Sequence, residues 1–375
     1  MTRASTFLYA ITTITVFLIA TSPLHAVVST IDATVWAKVE EYVGSELANS
    51  DEAFEDLDNS TGNLPLVVDV GFIHTGPNGE KSGTSATTTF NDPRLSLEPD
   101  PNEFGIDVTA YSEDLDTSYA SLCNSTETRE INFSPTEIGV PVDTEIRVRS
   151  HFYVDGLIVV WGKLGQTDLS DTVGEFWLTV KQHRPDDTED TTVLETAVKL
   201  TGRPDGTVNL SATGGLAPAN VTLMELGSLI TEVGPMHILI VPDTAIPYLY
   251  DTKVGEHFSL RAEIEGRINT QPGTGAAVAL GVPLLELIDL ITDVTGSDVG
   301  TVFQDTLQNA LSFGPLPLKP LKVDGQETEI TIVGKADSSL LSILPIPICG
   351  LMGIESVIFL SAFLVLTIAP WRRRY

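Results

Sequence analysis

The chain has 375 residues, 42 % of them hydrophobic, with 51 acidic against 21 basic side chains, a net charge of −30, 30 Gly, 22 Pro and 2 Cys. The length allows one large domain or two ordinary ones, with ample chain to bury a core. The charge argues against nucleic acid as a partner, because phosphate contacts need clustered Lys and Arg, and two cysteines exclude a disulfide-stapled scaffold.

At the N-terminus, Arg3 precedes an apolar run over 7–20, and Thr21, Ser22, Pro23, Leu24, His25 and Ala26 follow it. This order reads as a secretory signal over 1–26, cut after Ala26. The next unit, 27–63, reads as an amphipathic helix and an acidic connector. Val35, Trp36, Val39, Val43 and Leu47 are spaced as on a helix face over 32–47, with Lys38, Glu40 and Glu41 between them and Asp32 as cap. The connector over 50–59 is rich in Asp and Glu. Asp56, Asp58 and Ser60, followed by Gly62, start like a calcium loop, since Ca²⁺ takes oxygen ligands from carboxylates and carbonyls.

From residue 64 to 335 the period becomes two. Over 144–152, Ile146, Val148, Ser150 and Phe152 alternate with Glu145, Arg147, Arg149 and His151, and over 257–265 Phe258, Leu260, Ala262 and Ile264 alternate with polar neighbours. Phe176, Leu178 and Val180 oppose Trp177, Thr179 and Lys181. Further strands are expected over 66–74, 106–111, 157–161, 193–200, 207–211, 236–241 and 328–333, separated by turn residues as at 75–79 and 202–206. Many such strands read as a mainly β fold, an antiparallel β-sandwich with one wet face per sheet. Trp177 falls on the polar side of its strand, where an indole can stack on a sugar ring or be covered by a neighbouring segment; it is the candidate ligand-binding residue.

A helical hairpin is expected over 283–313. Pro283 opens a run with Leu284, Leu287, Ile288, Ile291 and Val294 on one face, Gly296 and Ser297 punctuate it, and Val299, Val302, Phe303, Thr306, Leu307 and Ala310 form a second stripe. A juxtamembrane linker (336–347) then leads to an apolar stretch over 348–369 whose only charge is Glu355. As a helix it is about 33 Å long, enough to span a bilayer. Trp371 and the basic tail over 370–375, with Arg372, Arg373 and Arg374, fit an interfacial anchor and a cytoplasmic stop, leaving the N-terminus outside. Removing both ends takes one acid and four bases, so the exported body is more acidic than the whole chain.

Pro345, Pro347, Cys349 and Gly350, one apolar span and the terminal arginines resemble the tripartite C-terminal sorting signals of bacterial surface proteins, in a layout similar to the PEP-CTERM class. Ile346 stands where that class has an acid, and Cys349-Gly350 resembles its Cys-containing variants. The resemblance implies a processing or sorting protease as partner and a cysteine at which the tail is cut or lipidated.

No Gly-x-Ser-x-Gly elbow, P-loop, His-Glu-x-x-His or Cys-x-x-Cys occurs. His74, His151, His183, His237 and His257 stand singly, and Cys123 and Cys349 are not expected to pair. Sequons at Asn59, Asn124, Asn132, Asn209 and Asn220 are glycan acceptors only in a eukaryotic secretory pathway. The expected function is a non-enzymatic, membrane-anchored surface protein of structural or adhesive type facing an envelope or matrix polymer; the other reading is a carbohydrate- or calcium-dependent binding module.

Overall fold

A computed structural model describes residues 27–57, 65–75, 81–90, 104–113, 116–216, 221–226, 233–281 and 322–333. Among them run β1 (Val27–Val43), β2 (Glu46–Leu57), β3 (Leu66–Thr75), β4 (Lys81–Phe90), β5 (Phe104–Tyr111), β6 (Thr117–Asn132), β7 (Glu145–Lys163) and β8 (Val173–His183). β9 (Thr191–Gly202), β10 (Val208–Ala212), β11 (Thr222–Leu226), β12 (Val233–Lys253), β13 (His257–Asn269), β14 (Thr274–Leu280) and β15 (Lys322–Ile332) follow. One helical turn, Pro135–Ile138, starts with Pro and is capped by the Ser134 hydroxyl, which accepts from the Thr136 amide.

The strands form two antiparallel sheets, in the orders β10-β9-β8-β13-β6-β1-β2 and β11-β12-β7-β14-β5-β4-β3, with β15 added beside β7. Their facing sides share one hydrophobic core that includes Val35, Phe176 and Ile264 from the first sheet and Phe104, Phe152 and Val278 from the second. The mainly β, sandwich-like architecture expected from the alternating segments is therefore present. The segments expected at 144–152 and 157–161 are one strand, β7: its first half pairs with β15, its second half with β14, and β12 lines its other edge throughout.

The helix expected over 32–47 and the acidic connector after it are a β-hairpin. β1 and β2 pair from Ala33 with Leu57 to Val43 with Glu46, turning through Gly44 at φ 63°. Ala33, Val35, Ala37 and Val39 are buried while Thr34, Trp36, Lys38 and Glu40 face outward. Apolar residues four apart satisfy both a helical and a two-residue period, so Val35, Val39 and Val43 could not separate them. The buried Ala37 between Val35 and Val39 decides for the strand, because helical geometry would turn it off the apolar face.

Around β14 and the second half of β7 the eight-stranded sheet is apolar on both sides. Ala276, Val278 and Leu280 of β14 point into the shared core, whereas Ala277 and Ala279 point away from it and are also fully buried, as are Leu157, Val159 and Trp161 of β7 and Met236 and Ile238 of β12. Trp161 lies over Gly275, where an added Cβ would fall 2.2 Å from the indole, and stacks on Tyr111 at 6.1 Å. Burial pushes the Tyr111 hydroxyl well above its usual pKa.

The interior also has a polar band. On the inner face of β6, Ser121, Ser125, Glu127 and Arg129 are buried, and Arg129 Nε donates to Glu127 Oε1. The hydroxyls of Thr84 and Ser121 meet across the sheets, and Thr84 Oγ1 also donates to the Thr109 carbonyl at 3.1 Å.

The first residue of β1 pairs with Asn132, at the end of β6, and the Gly255 amide joins the Phe133 carbonyl at 2.9 Å. The Val254 amide bonds Thr144 O, and the Val333 amide just after β15 bonds Glu145 O at 2.9 Å. The start of β1 and the end of β15 thus share one pole of the body.

The signal (1–26), the hairpin expected at 283–313, the span at 348–369 and the tail at 370–375 lie outside the described residues. Among the described residues no helix is long and apolar enough to cross a membrane.

Candidate functional site

The register assembles an aromatic row on the outer face of the seven-stranded sheet. Ala197 of β9 pairs with Trp177 of β8, Trp177 with Glu265 of β13, Glu265 with Asn124 of β6, Asn124 with Trp36 of β1, and Trp36 with Phe54 of β2. Directly paired residues share a face. Strands lie about 4.8 Å apart, so Trp177 and Trp36 are separated by about 14 Å, with Glu265 and Asn124 between them. Both tryptophans are half-buried and Phe54 is 58 % exposed.

Polar contacts hold this row in place. Trp36 Nε1 donates to Glu52 Oε1 at 2.9 Å. Asn124 Nδ2 donates to Glu263 Oε1 at 2.8 Å, and its carbonyl accepts from Thr126 Oγ1 at 2.9 Å. Next to Trp36 on the same face of β1, Lys38 contacts Glu40 at 2.6 Å, and the Tyr42 hydroxyl donates to the same carboxylate at 2.7 Å. The Lys38 contact, with the Tyr42 bond second, holds Glu40 below its usual carboxylate range, and Glu40 in turn raises Lys38. Beside Trp177, the largely buried Glu175 pairs with Lys199 at 2.9 Å.

Glu265 is the electrostatic exception. Desolvation, and after it the Glu263 carboxylate, raises its pKa above the ordinary value. The folded chain therefore binds this proton more tightly than the unfolded chain does. The resulting penalty is present above the folded pKa and is relieved as pH falls through it. Glu265→Gln should stabilise the protein at neutral pH by up to about 1 kcal/mol, with the gain vanishing in acid; thermal unfolding across a pH series reads it, and a pH-independent difference contradicts the assignment.

Trp177 thus lies where the alternation puts it, half-buried and flanked by Ala197 and Glu265. Asp56 is exposed on β2, opposite Thr34 and on the same face as Phe54. Asp58 and Ser60 lie outside the described residues, as do Pro345, Pro347, Cys349, Gly350 and the three terminal arginines. Among the described residues no group of three or more His, Cys, Asp or Glu side chains is placed to hold a metal ion. Cys123 is buried in the core, its thiol pKa raised first by burial and then by Asp107. His237 is also buried, with Nε2 at 2.7 Å from Gly206 O, while the exposed His257 contacts Asn132.

Sequence reasoning missed Trp36, Phe54, Asn124 and Glu265 as parts of one surface. The available signal was Val35-Trp36: two adjacent large apolar residues cannot share one strand face, so one of them must point outward.

Neither a protein-family model nor a curated protein matches this chain.

Proposed function

We propose that the chain is an exported, non-enzymatic surface protein of adhesive type. The signal over 1–26 directs export, and the span over 348–369, with Trp371 and Arg372, Arg373 and Arg374, tethers the body to the outer side of the membrane. Pro345, Pro347, Cys349 and Gly350 mark the position at which a sorting protease would act. The β body then faces an envelope or matrix polymer.

The observation that carries the adhesive reading is the row from Trp177 to Phe54, an open sheet face with aromatic rings held by polar neighbours. The helical hairpin over 283–313 belongs to the same proposal. Its stripes, with Leu284, Leu287, Ile291 and Phe303, supply the apolar chemistry that suits the buried outer layer of Leu157, Val159 and Trp161. A carbohydrate-binding module is the second reading, favoured by the alternation of rings and hydrogen-bonding groups within the row.

Subcellular fractionation tests the tether. The whole chain should sediment with membranes, whereas a chain ending at residue 343 and carrying its own signal should be released as soluble protein. Retention of the shortened chain in the membrane fraction overturns the anchor. An intact mass beginning at Val27 would support cleavage after Ala26.

A further inference from the structure

We propose that the row Trp177–Glu265–Asn124–Trp36–Phe54 binds one extended, neutral polysaccharide chain laid across the strands, with Trp177 and the Trp36–Phe54 pair as two stacking subsites. The inference rests on the adhesive reading only in taking a polymer as partner; it does not depend on how the body is tethered.

Three observations point to this ligand class. First, the row alternates the two surfaces a sugar presents. Its C–H faces are apolar and pack on aromatic rings, while its hydroxyls need hydrogen-bonding groups, which Glu265 and Asn124 supply between the rings. A protein partner would call for a contiguous apolar centre, which the carboxyl and carboxamide interrupt.

Second, the site is organised before any ligand arrives. Trp36 is tied through Nε1 to Glu52, Asn124 is fixed by Glu263 and Thr126, and the small Ala197 beside Trp177 leaves room along the indole. Side chains already held in place lose little freedom on binding.

Third, charge selects a neutral chain. Glu52, Glu263 and Glu265 line or flank the row, and the nearby Lys38 and Lys199 are already paired with Glu40 and Glu175, so in a chain of net charge −30 a polyanion meets repulsion. The separation of about 14 Å between the tryptophans also exceeds the reach of a mono- or disaccharide, so only a longer chain engages both subsites.

The test is retention of the whole chain, in detergent micelles, on insoluble cellulose, chitin, xylan and mannan, with alginate as the anionic control. At least one neutral polymer should retain the protein and alginate should not. Trp36→Ala and Trp177→Ala should each weaken retention at least about tenfold, and the pair together should abolish it. Trp36→Phe and Trp177→Phe, which keep an aromatic ring, should restore part of it and serve as controls for folding. Titration with soluble oligomers of the retained polymer should show a step in affinity once the oligomer spans both rings, and Trp177→Ala should remove that step.

Retention by no neutral polymer, preference for alginate, or retention unchanged in both Ala variants overturns the proposal. So does concentration-dependent self-association that both Ala variants abolish, which would make the row a contact between copies. Fractionation reads the tether and retention reads the row, so each can fail without the other.

Discussion

Replacing Arg129 with Met should lower the free energy of unfolding by about 3–5 kcal/mol, because it removes the guanidinium that the Glu127 carboxylate contacts in the interior. Glu127 and Arg129 are two residues apart on the inner face of β6, are 1 % and 8 % exposed, and lie opposite Ala262 and Leu260 of β13. Taking both charges out of water is expensive, and their contact offsets that cost only while both are present. The double replacement Glu127→Leu with Arg129→Met should therefore recover most of the loss, since an apolar pair suits this site as well as an ionic one. Chemical denaturation of the two single variants and the double variant forms a complete cycle. Additive losses would show that the two side chains act independently and would refute the pair as the source of the effect.

The second large effect is expected at Trp161, which should cost about 3–5 kcal/mol when cut back to Ala. The indole is 1 % exposed, lies over Gly275 and stacks on Tyr111, so its loss opens a cavity in the apolar layer outside the shared core. Gly275→Ala approaches the same contact from the other side. The new methyl would fall 2.2 Å from the ring, and the displaced indole should cost about 1–3 kcal/mol. In a chain whose other three tryptophans are replaced by Phe, emission reports the burial of Trp161, and there Gly275→Ala should red-shift it as well as lower the unfolding midpoint. A lowered midpoint with unchanged emission would place the strain elsewhere, in the β14 backbone.

The alternating segments were the legible part of the fold. Phe258, Leu260, Ala262 and Ile264 of β13 need no tertiary context to be placed on one face, and Trp177 was assigned to its outer position by the same rule. β6 was hidden because its inner face carries Ser121, Ser125, Glu127 and Arg129, side chains that look solvated until the partner sheet is in place. β14 was hidden for the opposite reason: a sheet covered on both sides selects no alternation, so Ala276-Ala277-Val278-Ala279 has no readable face. The β1–β2 hairpin was misread because valines four apart satisfy two periods at once. That error kept Trp36 with the core residues, and with it the half of the aromatic row that makes Trp177 more than a single exposed indole.

The shared pole of β1 and β15 gives the body an orientation. With the proposed tether beyond residue 333, that pole would face the membrane, the strands would stand along the bilayer normal, and β1, with 17 residues, would rise about 55 Å. The aromatic row crosses the strands near the middle of β1, and in that orientation would run parallel to the cell surface. A polymer seated on it would lie flat above the membrane, and neighbouring copies gripping the same chain would be stitched together sideways.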